Sequence, residues 1–112
     1  MKLVLLLASV IFTVVPANSM MNVKEYQKMK NSREMKIYLD GIGHGITVVH
    51  SYLQLIGQPP FYCPPEKLGL APENYIDILD KEIQHVPQFQ DSIEFLLFNG
   101  LMRTFPCGKN KK

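Results

Sequence analysis

The chain has 112 residues, with 12 Lys and Arg against 10 Asp and Glu. That length bounds it to one small domain. The near balance of charge, with no clustered Lys and Arg on one face, argues against a nucleic-acid binder.

The N-terminus reads as an export signal. A short basic start, "MK", precedes an unbroken apolar run of thirteen residues, "LVLLLASVIFTVV", and "PANS" then ends it. Ala17 and Ser19 occupy the small-residue positions that signal peptidases require, so cleavage is expected after Ser19. Thirteen apolar residues fall short of the roughly 20 that a spanning helix needs, and no Lys/Arg stop-transfer cluster follows. The expected organisation is a signal peptide at 1–19, a helical domain at 20–107 and a disordered basic tail at 108–112. The mature chain then has no membrane association of its own.

The next segment, 22–31, is polar, with Val23 and Tyr26 on one side, and suits a short helix. Asn31 and Ser32 offer an N-cap to a longer helix that begins with Arg33 and Glu34. Met35, Leu39, Ile42, Ile46, Val49, Leu53 and Ile56 step by 4, 3, 4, 3, 4, 3 along it. This is a single apolar stripe on a helix of about 23 residues. Gly57 follows the last member of the stripe, and Pro59 and Pro60 forbid continuation.

Inside that helix stands "YLDGIGHGITVV", where each glycine costs roughly 1 kcal/mol against alanine. None of the three lies on the stripe. Gly41 and Gly45 are four apart, so they share a face, and Tyr38, Val48 and Tyr52 line up with them. Two missing side chains make a shallow groove that lets a neighbouring helix approach closely. The neighbour expected there is another helix of the same chain or, as the alternative, a second copy.

Residues 58–71, rich in proline, must be irregular. Pro72 suits the first position of the next helix, with Glu73 in its first turn. Ile76, Leu79, Ile83 and Val86 give that helix its stripe, and Pro87 ends it. A last helix is expected from Pro87 or Gln88, with Phe89, Ile93, Leu96, Leu97, Gly100, Leu101 and Phe105 on its apolar side and Pro106 as its stop. "GITVV" is β-prone in isolation but lies within the longer helical pattern. The fold class is therefore all-α: a small bundle of three main helices plus a short N-terminal helix, with one disulfide. Cys63 and Cys107 are the only cysteines of an exported chain, so they are expected to pair. Closing a loop of that size contributes roughly 4 kcal/mol in the chain-entropy picture.

No catalytic constellation stands out. The glycine spacing is G-x-G-x-G rather than the phosphate-cradling G-x-G-x-x-G, and no strand precedes it. Asp40 and His44 are spaced to meet on a helix, which reads as a polar surface pair. His50 and His85 share no metal-ligand spacing with them. No C-x-x-C redox motif is present. No serine sits in a nucleophile elbow. The residues point to a protein that binds something, with no catalytic residues, no metal and no cofactor.

Three elements carry a likeness to a known family. "KIYLDGIGHGI" supplies Tyr38 and Gly41, "FYCPPEKLGL" supplies Cys63 and Pro65, and "RTFPC" supplies Phe105, Pro106 and Cys107. Across residues 35–107 the chain resembles the Rap/Tai family of type VI secretion immunity proteins, small exported helical proteins. It departs from them at Met35, where members often carry a further cysteine, and near Ala71, where a Ser or Thr cap would stand. The resemblance implies a periplasmic inhibitor of a toxin delivered by neighbouring bacteria, often a peptidoglycan-cleaving amidase. It implies occlusion of the toxin's cleft rather than chemistry, and homodimers as a working form. The link 84–90, with His85, Gln88 and Gln90, is the expected partner-binding loop. The competing surface is the long link with Phe61, Tyr62, Glu66 and Lys67. The alternative function is an exported helical adaptor for another envelope protein.

Overall fold

The computed structural model describes residues 20–64 and 69–108. The expected signal peptide, Pro65, Glu66 and Lys67, and the tail beyond Gly108 lie outside the described residues. Four helices follow in order: α1 (Val23–Met29), α2 (Arg33–Leu55), α3 (Pro72–His85) and α4 (Ile93–Thr104). The described residues hold no strand, so the chain is an all-α bundle, cross-linked between Cys63 and Cys107.

Local chemistry sets the helix ends. Asn22, Ser32 and Ser92 cap α1, α2 and α4, each side chain accepting a backbone N–H in the first turn. The Ser/Thr cap missing at Ala71 is replaced from the other side. Asn74 Oδ1 accepts the Ala71 N–H at 2.8 Å, and Pro72 opens the helix. At the end of α2, Gln58 N–H reaches Leu53 O at 2.9 Å and Gly57 N–H reaches Gln54 O at 3.2 Å. That is the Schellman pattern, and Gly57 holds the positive φ, 72°, that it requires.

The last helix starts later than its apolar pattern suggests. Residues 87–92 form a turn in which Gln90 Nε2 donates to Pro87 O at 2.7 Å, and Ser92 then caps Ile93 onward. A capping serine competes with the backbone for the same N–H groups, so it begins a helix rather than continuing one.

The core gathers Val23, Tyr26, Met35, Leu39, Tyr62, Tyr75, Ile78, Leu79, Ile93, Leu96, Leu97 and Leu101. On α3 the buried face is Tyr75, Ile78, Leu79 and Glu82, while Ile76 and Ile83 of the expected stripe are only half-buried. This helix packs on both α4 and α2, so its buried face is wider than one stripe. On α2 the stripe enters the core only at its first half. Met35 and Leu39 are buried and Ile42 and Ile46 partly so, but Val49 and Ile56 stand exposed.

The close helix approach expected at Gly41 and Gly45 is not made within the chain. A Cβ built at either position meets no described atom within 4 Å. The approach falls on Gly43, where a Cβ would lie 2.2 Å from the Tyr75 hydroxyl, and on Gly100, where it would lie 2.7 Å from Ile78 Cγ2 and 3.3 Å from Ile78 O. Gly43→Ala and Gly100→Ala should therefore each destabilise the fold by about 1–3 kcal/mol, the cost of overpacking. Urea unfolding followed by circular dichroism measures it, and an unchanged midpoint would refute the packing.

Candidate protein-binding groove

A concave site lies where α2 leaves the core. Ile42, Gly45, Ile46, Val49 and His50 form one wall; Phe61, Tyr62 and Phe98 form the other. They enclose a cavity of about 350 Å³ with almost no polar surface. Side-chain anchors and small ligands both seat in cavities of this size and character.

Three ties hold the second wall. The Schellman turn at Gly57 redirects the chain, the disulfide fixes Cys63 to the end of α4, and Cys63 N–H donates to Phe105 O at 2.8 Å. Tyr62 is buried beneath, its ring 5.2 Å from that of His50. Burial pushes its hydroxyl pKa up, with Thr47 pulling weakly the other way. Phe61 stays half-exposed, edge-on to Phe98 at 5.3 Å. His50 Nδ1 is buried and has no hydrogen-bond partner among the described residues. An orphaned buried nitrogen costs free energy.

The link 84–90 runs from the end of α3 toward the start of α4. His85, Gln88 and Gln90 are exposed there, and the structure does not bring them to the groove wall. The link is nonetheless pinned. Val23 N–H donates to Gln90 O at 3.0 Å and Ile93 N–H to Met21 O at 2.8 Å, so residues 21–23 run beside it. Glu94 locks the same corner by accepting from Met21 N–H at 3.1 Å, Ser92 Oγ at 2.9 Å and the Tyr38 hydroxyl. Burial alone would raise the Glu94 pKa. The bonds from Tyr38, Met21, its own amide and Ser92 outweigh burial and hold the carboxyl below the usual range. Burial and the same carboxylate push Tyr38 up to about 12.

Asp40 and His44 form the expected exposed pair, His44 Nδ1 lying 3.6 Å from Asp40 Oδ2. Among the described residues no three His, Cys, Asp or Glu side chains converge as a metal-ligand set. No described helix is long and apolar enough to cross a membrane. Phe98 was missed by periodicity because it sits off the core stripe of α4; an aromatic residue in that position is itself the signal. No protein-family model matches the chain, and neither a curated protein nor a solved structure matches it.

Two outcomes test this site. Glu94 is held ionised by the fold, so its stabilisation is complete above the ordinary carboxylate pKa of 4.5 and is lost as pH falls through the lower folded value. Glu94→Gln should lower stability by about 1 kcal/mol at pH 7 and flatten the loss of stability below pH 4.5. Urea titrations between pH 3 and 7 read both effects. Reducing the disulfide should lower the unfolding midpoint and, before global unfolding, speed hydrogen exchange at the Cys63 amide. Equal exchange in both redox states would separate the wall from its tie.

Proposed function

We propose that this protein is a periplasmic immunity protein that binds a cognate type VI secreted toxin, a peptidoglycan amidase, and blocks its catalytic cleft. It acts as a non-enzymatic inhibitor: tight binding is enough, and no bond in the partner need change. The observation that carries the reading is the apolar groove on a cross-linked scaffold, with Phe61 half-exposed at its mouth. Binding energy concentrates in a few anchors seated in desolvated pockets, and a pre-ordered surface loses less entropy on association. Cys63 of "FYCPPEKLGL" and Cys107 of "RTFPC", two of the residues on which the family resemblance rests, form the cross-link beside one groove wall. The anchor that suits the groove is an aromatic or aliphatic side chain.

The groove and the 84–90 link make different predictions. Phe61→Ala, at a half-exposed site, should leave the fold intact and weaken toxin binding by at least tenfold, since anchors of this kind contribute about 2 kcal/mol or more. His85→Ala, Gln88→Ala and Gln90→Ala together should produce that loss instead if the pinned link is the inhibitory loop. Isothermal titration with any toxin found encoded beside this gene reads the difference. Wild-type protein that binds no such toxin, but recovers one different envelope protein reproducibly from periplasm, would replace the immunity reading with that of an adaptor.

A further inference from the structure

Three hydrogen bonds fasten residues 21–23 to the turn before α4 and to the first turn of that helix. Val23 N–H donates to Gln90 O at 3.0 Å, Ile93 N–H to Met21 O at 2.8 Å and Met21 N–H to Glu94 Oε1 at 3.1 Å. Val23 is buried and Met21 packs against the core, while Met20, one residue upstream, is 56% exposed. Cleavage after Ser19, which the sequence predicts, makes Met20 the first residue. Hydrolysis of the Ser19–Met20 bond takes up one water and leaves a carboxylate on Ser19 and an ammonium on Met20. Nitrogens of consecutive residues are at most about 3.7 Å apart. The new ammonium therefore lies within about 7 Å of Glu94 Oε1, whatever rotation Met20 adopts.

We infer that this cleavage also tightens the fold: the ammonium freed on Met20 pairs with Glu94 and clamps residues 21–23 onto the turn before α4. The carboxylate is fixed in place, because Met21 N–H, Ser92 Oγ and the Tyr38 hydroxyl all donate to it. Its charge is uncompensated. All three donors are neutral, and among the described residues no basic side chain forms an ion pair with Glu94. The ammonium supplies the positive charge that this corner lacks, at a separation inside the ~8 Å screening length of physiological salt. The other charged side chains on these segments are Lys24 and Glu25 of α1 and Asp91 of the turn, all exposed, and their sum is negative, so they do not oppose a cation here. Met20 is exposed, so its ammonium keeps part of its water and the pair acts as a surface ion pair. Gln90 and Ile93 bound the end of the link 84–90, so the clamp also firms the segment that carries His85, Gln88 and Gln90. The inference rests on the export reading and not on the identity of any toxin.

Two chains with the disulfide formed test it. One begins at Met20; the other carries Ala17, Asn18 and Ser19 ahead of it, which moves the ammonium about 10 Å along the chain. At about pH 6 the α-amino group is protonated. Urea unfolding there, in low salt, should give the Met20 chain a folding constant about two- to fivefold larger, the range of exposed ion pairs. The difference should vanish in about 1 M NaCl. Hydrogen exchange at the Val23 and Ile93 amides should slow by a similar factor in the Met20 chain. Glu94→Gln keeps an oxygen acceptor for Met21 and Tyr38, so the variant retains the fold, and in it the two chains should be equally stable. Equal stability of the two wild-type chains overturns the inference, as does a difference that persists in Glu94→Gln. Mass spectrometry of the protein isolated from its own cells, showing a first residue other than Met20, overturns it as well. None of these readouts involves a toxin, so the immunity reading stands or falls separately.

Discussion

Helix α3 lies against two neighbours at once, and each makes room for it with a glycine. Gly43 of α2 leaves the space that the Tyr75 ring fills, and Gly100 of α4 lets Ile78 and its backbone come close. A methyl group at Gly43 would displace the Tyr75 ring, and one at Gly100 would press on the Ile78 side chain and its carbonyl oxygen. With α3 fixed, its other contacts follow. The buried Glu82 reaches Arg103 on α4, whose Nε donates at 3.0 Å, and Asp80 accepts from the Tyr26 hydroxyl at 2.8 Å, tying in α1.

The same tight seating explains why α2 outgrows the core. Its first half is needed to cover α3 and α4; its second half passes beyond them with apolar side chains still on it. The chain turns back at Gly57, and the disulfide carries residues 61–63 to the end of α4. One side of the free half becomes the groove wall, while the other remains a bare ridge. The groove thus arises because one helix is longer than the bundle it serves, and the cross-link ties its opposite wall to the end of α4.

Polar groups finish what the apolar core begins. Glu94 gathers the backbone at Met21, α2 and the turn before α4 into one corner through three donors from other residues. Glu82 is only 2% exposed, and its bond to Arg103 is what makes that burial tolerable. Each carboxylate joins segments distant in sequence, which is where a chain of this size gains order that a small core alone cannot supply.

Punctuation and period in the chain were enough for the four helices, the cap at Ser32, Pro72 at the start of α3 and the stop at Gly57, because each depends on neighbours a few residues away; the disulfide was legible because the chain has only two cysteines to pair. They were not enough to say which apolar face is covered. Residues 35–56 carry two helical stripes, one through Leu39 and one through Val48, and periodicity ranks them without knowing where the neighbouring helices end. The choice among Gly41, Gly43 and Gly45 was hidden for the same reason: the space a glycine leaves has meaning only against a partner, here Tyr75, some thirty residues away. The groove likewise needed Phe61 and Phe98 to meet across the disulfide, a contact between distant segments that no local pattern encodes.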